Sequence, residues 1–410
     1  MILSFSVENY KSFKNKTTLD FECYGAFKEN PKSTEAVFDQ KYNKVVAMYG
    51  PNATGKTSLL DALRTMWNIV SKSANTTPDS SIPFFPFFSD ECIKKPSSFD
   101  ITFSYKGIKY RYGFSNNQKE ILSEYLFASP KGREILLFER HSKESFSYGS
   151  NESEKKYKQF QKFSLPNRLF VSTLSLWNQP FANDVLSFFQ ESFTFEMANQ
   201  NFLFLEPQSS NPFFDPLITE PEYKRFLLSF LSFADINICD LKVEKTKLGF
   251  LPNNKGLSTS INEFYYHVSF CHDTSEGKKW LPSEFESSGT NALIFISRLF
   301  YLSFQKEQTI FIDEFDSSLH PEIQRFLVQA FINNAHFGSQ LVFTTQNTSL
   351  MTNDLLRRDQ IDFFEKDSDG VSTVHNLSEY KVRKNSDLEK DYLMGRYGAI
   401  PMIVDYFKEN

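Results

Sequence analysis

Cysteine is scarce in this sequence of 410 residues, and the four that occur form no CxxC pair. Cys23, Cys92, Cys239 and Cys271 lie far apart along the chain. A secreted domain stabilised by disulfides carries many closely spaced cysteines, and a structural zinc site needs paired ligands. The spacing therefore argues against a disulfide framework and against a zinc site.

Long apolar runs and a leader-like N-terminus are also missing. The longest apolar stretch, NALIFISRLFYLSF (291–304), is interrupted by Ser, Arg and Asn and is shorter than the roughly 20 residues that span a bilayer. The opening residues, MILSFSVENYKSF, carry no basic segment followed by an apolar core, as a signal peptide would. We therefore expect a cytoplasmic protein with no membrane partner.

The chain has no large excess of charge of one sign. Its 45 Lys and Arg against 50 Asp and Glu give a net charge of −5 at pH 7. This balance excludes a protein that coats nucleic acid with a uniformly basic surface. It remains compatible with a basic groove on one part of the surface. Phe is abundant, at 46 residues, which we attribute to the codon bias of an AT-rich genome rather than to a shared stacking role.

Sequence patterns predict strands and a helix in the N-terminal third. Residues 2–8 alternate apolar and polar, and KVVAMYG (44–50) is a β-branched apolar run that enters a glycine, so both predict strands. TSLLDALRTMWNIV (57–70) has the apolar spacing of a helix. FDITFSYKGIKYRYGF (99–114) contains two alternating runs joined at Lys106 and Gly107, which predicts an antiparallel hairpin.

From residue 281 onward, predicted helices and strands alternate. After SSGT we expect, in order, a helix from about Asn291, a strand TIFIDE (309–314), a helix from about Pro321, a strand QLVFTT (340–345) and a hairpin IDFFEKDSDGVSTVHNL (361–377). This alternation is typical of an α/β core with a mainly parallel sheet.

The remaining pattern predicts a core that is split in sequence. Residues 150–235 are mostly helical in character, and no fixed-period repeat occurs. We therefore expect a head built from 1–140 and 281–410, with an antiparallel lobe at about 95–140, and an inserted, mainly helical lobe at 141–280.

GPNATGKTS matches the phosphate-loop pattern G-x-x-x-x-G-K-[ST] in full, between a predicted strand and a predicted helix. Its residues are Gly50, Pro51, Asn52, Ala53, Thr54, Gly55, Lys56, Thr57 and Ser58. The glycines permit dihedral angles that point loop N–H groups inward at an anion, and the helix N-terminus adds positive potential. Lys56 would reach the β- and γ-phosphates, and Thr57 would offer its hydroxyl to Mg²⁺.

Two further motifs follow in the C-terminal part. The apolar strand TIFIDE ends in Asp313, a candidate for the metal side, and Glu314, a candidate general base. ESSGT (286–290) precedes an apolar helix, and its Gly289 lies 24 residues before Asp313. Ser, Gly and Thr at a helix N-terminus form a second phosphate-binding arrangement.

These motifs, in this order, resemble the ATP-binding cassette superfamily and, within it, its SMC/RecF-like branch. Asn9–Phe13 resembles the N-x-[KR]-S-F segment of that branch, and Ser287–Thr290 resembles its signature. DEFDSSLHP (313–321) resembles the D-E-x-x-x-x-L-D pattern, with His320 where Asp is common. The strand that ends in a switch His in the family continues here as FTTQNTSL (343–350), so Gln346 occupies the switch position.

The resemblance implies a P-loop ABC-type ATPase head of the α/β class. A mainly parallel sheet would carry helices on both faces beside an antiparallel lobe, with a largely helical insertion. ATP would lie between two heads, so that a homodimer or a higher even oligomer forms. The implied nucleotide contacts beyond the phosphate loop, Asp313 and Glu314 are Lys11, Ser12, Ser288, Gly289, Thr290 and His320, with Lys11 and Ser12 near the α-phosphate or the adenine.

Gln346 is a departure from the family pattern that bears on turnover. A switch His hydrogen-bonds the γ-phosphate, whereas Gln can donate one such bond and cannot carry charge. We therefore expect slow hydrolysis, with ATP binding acting as a latch. The alternative is that Gln is a tolerated substitute.

The C-terminal segments resemble those of ABC ATPases from phage-defence loci of the RloA and AbiL type, and more distantly the AriA subunit of the PARIS system. These segments are LRRDQIDFFEKDSDG (356–370), LSEYKVRK (377–384) and YLMGRYGAIP (392–401). The resemblance implies a sensor or switch that controls a separate effector encoded nearby, such as a TOPRIM-type nuclease. The alternative is a RecF- or SMC-like repair ATPase that acts directly on DNA.

Other clusters carry less weight. Asp367 and Asp369 sit between two alternating runs, which favours a hairpin turn over a nuclease site. The group His267, Cys271, His272 and Asp273 lacks a second ligand cluster, which favours a surface loop. SEKKYKQFQKF (153–163) interleaves lysines with aromatics, which favours a solvated helix and leaves a nucleic-acid contact open. Residues 392–401 are consistent with partner docking, a dimer brace or packing on their own core.

Overall fold

A computed structural model describes residues 1–25, 27–197, 211, 213–234, 236–247, 251–252, 258–259, 264–383 and 386–401. Residues 198–210, within the segment predicted to be helical, and Lys384, within the predicted tail segment, lie outside the described residues.

Strands and helices occur in the following order. The strands are β1 (Ile2–Glu8), β2 (Thr17–Asp20), β3 (Thr34–Val37), β4 (Gln40–Asn43), β5 (Val45–Tyr49), β6 (Ser97–Tyr105), β7 (Ile108–Asn116), β8 (Ile121–Ser129), β9 (Ile135–Arg140), β10 (Phe146–Ser147), β11 (Phe193–Met197), β12 (Ile238–Lys247), β13 (Leu251–Pro252), β14 (Ser258–Thr259), β15 (Phe264–Thr274), β16 (Gly277–Pro282), β17 (Thr309–Asp313), β18 (Gln340–Thr344), β19 (Ile361–Lys366) and β20 (Ser372–Asn376). The helices are α1 (Lys56–Lys72), α2 (Asn151–Tyr157), α3 (Phe170–Leu176), α4 (Pro180–Glu191), α5 (Phe214–Thr219), α6 (Pro221–Phe233), α7 (Ser288–Gln305), α8 (Pro321–Asn334) and α9 (Leu388–Leu393).

The chain forms two compact units. The first unit comprises Met1–Glu196, Lys306–Asp313 and Val328–Asn410, and the second comprises Met197–Gln305 and Glu314–Leu327. The domain limits derived from the sequence, at residues 140 and 281, stay a prediction.

The first unit contains a six-stranded sheet in the order β11-β17-β18-β5-β19-β20. Neighbours among β17, β18, β5 and β19 are parallel, and β20 is antiparallel to β19. Every residue of β5, β17 and β18 is buried, as expected for parallel strands covered on both faces. The predicted α/β class with a mainly parallel sheet is confirmed.

An antiparallel lobe belongs to the same unit. Its seven strands run in the order β10-β9-β8-β7-β6-β1-β2. The predicted hairpin joins β6 to β7 through Lys106 (φ 48°) and Gly107 (φ 74°), a pair of positive φ values that suits the twist of a two-residue hairpin. The carboxylate of Glu124 on β8 is buried and accepts from the backbone N–H groups of Phe170 (2.5 Å) and Val171 (2.9 Å), where α3 begins. Burial raises the pKa of Glu124.

Residues 141–196, in the first unit, carry α2, α3 and α4, whereas the second unit adds strands to the segment expected to be a mainly helical lobe at 141–280. Helices occur at α5 and α6, but β12, β15 and β16 form an antiparallel sheet. β15 reads FYYHVSFCHDT, and its aromatic and β-branched residues favour a strand over a helix. His267, Cys271 and His272 therefore lie on β15, with Cys271 buried, rather than on a surface loop.

The C-terminal residues pack on the first unit's own sheet. The Asp367 Oδ1 accepts from the N–H groups of Asp369 (2.9 Å) and Val371 (2.8 Å), which confirms a turn between β19 and β20. The ring of Tyr392 stacks on that of Phe363, with centroids 5.2 Å apart and planes at 9°. For this ring the structure supports packing on its own core.

Within the described ranges, no helix has both the length and the apolar character needed to cross a bilayer.

The pH dependence of stability is expected to report on Asp362, which is buried on β19. Burial raises its pKa to about 7, assisted by Glu379, Asp20 and Asp359, while a hydrogen bond from Asn376 lowers it. The folded state therefore holds a proton that the unfolded chain releases near pH 4. The free energy of unfolding should fall as pH rises from about 4 to 7, by at most about 4 kcal/mol.

Asp362→Asn removes this titration and should flatten the decline. Thermal denaturation of both proteins at pH 4 to 8 measures the difference. Asp39→Asn, at an exposed position, is the control and should keep the wild-type slope. An unchanged slope in Asp362→Asn would show that this carboxyl is not the group that titrates.

Candidate functional site

The glycine-rich loop between β5 and α1 requires glycine at two positions. Gly50 has a φ of 146° and Gly55 a φ of 111°, which L side chains rarely adopt. A Cβ on Gly50 would collide with the carbonyl oxygen of Phe364, and one on Gly55 would lie 2.6 Å from Ser372 Oγ. The loop therefore has no room for larger side chains at either end.

Lys56, the first residue of α1, extends over this loop. Its Nζ donates to the carbonyl oxygens of Gly50 (2.6 Å) and Pro51 (2.8 Å), and Thr54 Oγ1 donates to Pro51 O at 2.9 Å. The first turn of α1 contains no acidic residue. A cation and a helix N-terminus thus meet at one point, which suits an anion.

Asp313, at the carboxyl end of β17, links the loop to the neighbouring strands. It is 4% exposed and accepts from Thr57 Oγ1 at 2.8 Å and from Thr344 Oγ1 at 2.5 Å. A carboxylate and a hydroxyl side by side are oxygen ligands of the kind that Mg²⁺ prefers. Thr57 and Asp313, predicted separately from the sequence, fit a Mg²⁺ ion beside a bound phosphate chain.

Gln346 lies just beyond β18 on the same side of the loop. Its Nε2 donates to Asn52 Oδ1 at 2.8 Å. The amide that occupies the switch position is therefore adjacent to the phosphate loop.

The N-terminal segment contributes one residue close to the loop and one that is engaged elsewhere. Ser12 Oγ lies 3.0 Å from the point where a Cβ of Gly55 would be. Lys11 Nζ forms an ion pair with Asp61 Oδ2 at 2.5 Å, so the ammonium group of Lys11 contacts a side chain of α1.

Sequence reasoning missed Thr344 and Ser372. Thr344 follows the apolar residues Leu341–Phe343 at the end of β18, next to the acidic strand, and this was a usable signal. Ser372 was not identifiable, because only the return of β20 after the turn at Gly370 brings it to Gly55.

In the second unit, α7 begins at Ser288, three residues before the position predicted. Ser287 Oγ accepts from Thr290 N at 3.0 Å and so caps the helix, which is why Ser288, Gly289 and Thr290 lie in its first turn. A Cβ on Gly289 would lie 2.7 Å from Ser318 O. This close approach requires glycine.

Glu314 and His320 belong to the same unit. Glu314 is exposed and has a positive φ of 54°, an unusual conformation for a residue other than glycine. His320 Nδ1 accepts from Glu322 N at 3.2 Å, at the start of α8.

A family model described as "AAA domain, putative AbiEii toxin, Type IV TA system" matches residues 45–352. The chain belongs to this family. The matched residues include the phosphate loop, Ser288, Asp313 and Gln346, so these positions lie within the AAA domain.

Three solved structures of SMC heads are similar to this chain at low sequence identity. The chain is similar to the SMC head domain from Thermotoga maritima (13% identity, 92% of this chain, 98% of that chain, TM-score 0.39). It is also similar to an SMC head bound to the C-winged helix domain of ScpA (13% identity, 92% of this chain, 98% of that chain, TM-score 0.44). A third similar structure is an SMC head domain with an extended coiled coil, bound to the C-terminal domain of ScpA derived from Pyrococcus furiosus (13% identity, 92% of this chain, 97% of that chain, TM-score 0.43). No curated protein matches the sequence.

The part of the chain that the structure describes holds no group of three or more His, Cys, Asp or Glu side chains suited to a metal ion.

Lys56→Ala is expected to abolish detectable ATP binding, because it removes the cation over the loop while leaving Gly50 and Gly55 in place. Titration with a fluorescent ATP analogue in Mg²⁺ measures the affinity, and thermal denaturation checks the fold. Lys158→Ala, which removes an exposed lysine paired with Glu154, is the matched control and should bind as the wild type does. Wild-type affinity in Lys56→Ala would show that the loop is not the nucleotide site.

Proposed function

We propose that this protein binds ATP with Mg²⁺, hydrolyses it slowly, and uses the ATP-bound state to pair with a second copy and control a separate effector. The observation that carries the proposal is the meeting of Lys56, Thr57 and Asp313 at the phosphate loop. These residues provide a cation, a metal-ligating hydroxyl and a buried carboxylate within one site.

The residues divide the chemistry among them. Lys56 and the loop N–H groups bind the β- and γ-phosphates, and Mg²⁺ held through Thr57 and Asp313 would neutralise phosphate charge. Glu314 accepts a proton from the attacking water, whose oxygen bonds to the γ-phosphorus while the bond to the β-phosphate oxygen of ADP breaks.

Pairing of two copies would use the start of α7. Ser287 and Ser288 are exposed, and a helix N-terminus with serine side chains favours an anion. In the proposed assembly Ser288 and Gly289 of one copy meet the γ-phosphate bound by the other, so that nucleotide state governs association.

Gln346 would make the ATP-bound state long-lived. Its amide lies at the loop through Asn52 and can donate to a phosphate oxygen, but it cannot supply the positive charge of a protonated His. Slow hydrolysis would keep the pair closed, as a latch.

The proposed biological setting is bacterial defence, in the cytoplasm. The matched family's description names a putative toxin and a type IV toxin–antitoxin system, which supports a role in controlling a harmful effector. The resemblance of the C-terminal segments to RloA- and AbiL-type proteins, and more distantly to PARIS AriA, supports an antiphage role with an operon-encoded effector such as a TOPRIM-type nuclease.

A DNA-repair ATPase of the RecF or SMC kind is the second candidate, favoured by one surface. Lys155, Lys156, Lys158 and Lys162 are exposed around α2, and the half-exposed ring of Trp177 lies 5.1 Å from that of Phe163. Lysines beside exposed rings suit single-stranded nucleic acid. Filter binding with and without ATP separates the candidates, because direct DNA action requires tight binding that weakens steeply with salt.

Glu314→Gln should retain ATP binding, reduce hydrolysis at least about 100-fold, and trap an ATP-bound pair. Size-exclusion chromatography with light scattering measures the pair, and phosphate release measures turnover. Adding Ser288→Arg should return the trapped protein to single copies that still bind ATP. Glu322→Gln, at an exposed position in the first turn of α8, is the control. Wild-type hydrolysis in Glu314→Gln would remove the general-base assignment.

Gln346→His should raise the steady-state ATPase rate about 10-fold or more, because a protonatable donor beside the γ-phosphate stabilises its developing charge. Gln346→Asn, which keeps an uncharged amide, is the control and should not raise the rate. The same assay with both variants decides the matter. If the ATPase rate of Gln346→His does not exceed that of the wild type, the proposal that Gln346 slows hydrolysis and keeps the pair closed loses its support.

A further inference from the structure

We propose that Phe85 and Phe88 form an aromatic shelf that binds the base of the nucleotide, so that this segment determines which nucleoside triphosphate the protein accepts. The inference rests on the proposed function, since it places the base of a nucleotide whose phosphates lie at Gly50–Ser58.

The segment that carries the shelf is fastened to the start of the chain. Asn9 is 4% exposed; its Oδ1 accepts from Phe87 N at 3.0 Å, and its Nδ2 donates to Cys92 O at 2.8 Å. The backbone N–H of Lys11 donates to Phe85 O at 2.7 Å. The loop after α1 therefore has a defined position next to Lys11 and Ser12.

Two rings of this loop face solvent although Phe87, which lies between them in the chain, is buried. Phe87 is 3% exposed, whereas Phe85 is 48% and Phe88 is 69% exposed. Phe88 packs on Phe87 with ring centroids 4.4 Å apart, and Phe85 packs edge-on against Tyr10 at 6.1 Å. Exposed rings held on an anchored segment can serve as a stacking platform for a base.

The shelf is joined to the phosphate loop through the turn between β19 and β20. A Cβ on Gly370 would lie 3.1 Å from the ring of Phe88, and Ser372, two residues further, lies against Gly55. Two extended residues span at most about 7 Å, which is comparable with the reach of the ribose that joins a base to its α-phosphate.

Sheet order supplies the direction in which the nucleotide lies. Asp313 on β17 and Gln346 after β18 are on one side of β5, whereas β19 and β20 are on the other. The groups suited to Mg²⁺ and the γ-phosphate thus occupy the first side. The nucleoside extends to the second side, where the shelf is.

Two hydroxyl groups on this second side lack a hydrogen-bond partner in the described part of the chain. They are Ser12 Oγ and Ser372 Oγ, both buried and both beside Gly55. An unsatisfied buried hydroxyl costs free energy. These groups therefore mark the route between loop and shelf as a place for a polar ligand.

The chemistry of the surface suits a base. Lys11 Nζ lies 5.9 Å from the ring centroid of Phe85 and pairs with Asp61, so its charge does not draw further phosphate to this side. A ring face stacks on the π-face of a base. A purine, with two fused rings, covers more of the shelf than a pyrimidine does, so ATP and GTP should bind more tightly than CTP.

The test compares ligands that share phosphates and differ in the base. Isothermal titration calorimetry in Mg²⁺ measures ATP, GTP, CTP and inorganic tripolyphosphate with the full-length protein. In the wild type ATP should bind at least 10-fold more tightly than tripolyphosphate. In the double variant Phe85→Ala and Phe88→Ala, ATP affinity should fall about 10- to 100-fold, as stacking energies imply, while tripolyphosphate stays within about twofold.

Further variants keep the test decisive if the loss of Phe85 disturbs its packing on Tyr10. Phe88→Ala alone removes the more exposed ring. Phe88→Trp should keep ATP affinity and show fluorescence quenched by ATP but not by tripolyphosphate. Phe337→Ala is the control; this ring is 60% exposed and precedes β18, at the edge of the sheet opposite the phosphate loop, and its loss should change neither affinity.

The outcomes separate the two proposals. If the wild type binds neither ATP nor tripolyphosphate, the proposed function fails and the shelf fails with it. If ATP binds but its advantage over tripolyphosphate is absent, or survives in the double variant and in Phe88→Ala, the shelf is overturned while the nucleotide site stands.

Discussion

The first unit depends on how one buried carboxylate, Asp313, is satisfied. A carboxyl group removed from water needs hydrogen-bond partners, and Asp313 obtains them from Thr57 on α1 and Thr344 on β18. These two bonds hold together the ends of two strands and the beginning of a helix. The need for these hydrogen bonds thereby assembles the hydroxyl and the carboxylate that suit a metal ion.

Local motifs made much of the fold and of this site predictable. β5, the loop and α1 follow from an apolar run, two glycines and a helical period, because each signal lies within about 20 residues. The mainly parallel sheet followed from alternating elements. The antiparallel sheet of β12, β15 and β16 was missed, because its alternation is interrupted and β12 pairs with β15 across a long connection.

Contacts between distant segments set the limit of sequence reasoning. Nothing near Ser372 indicates that it lies on Gly55, since that contact depends on the register of β20. The approach of Lys11 to the nucleotide stays a prediction, and nothing near Lys11 in the sequence indicates its ion pair with Asp61, 50 residues later in the chain. The exposed rings of Phe85 and Phe88 carried no motif, and only the side chain of Asn9 and the backbone of Lys11 show where they belong.

The strand order also has a consequence for biosynthesis. β5 hydrogen-bonds to β18 on one side and to β19 on the other, and both partners are encoded about 300 residues after it. At a synthesis rate of about 5–20 residues per second, that interval lasts on the order of 15–60 s. During it the mainly apolar strand VVAMY has neither of its partner strands, and such an unpaired strand exposes the nascent chain to aggregation until β19 has been synthesised.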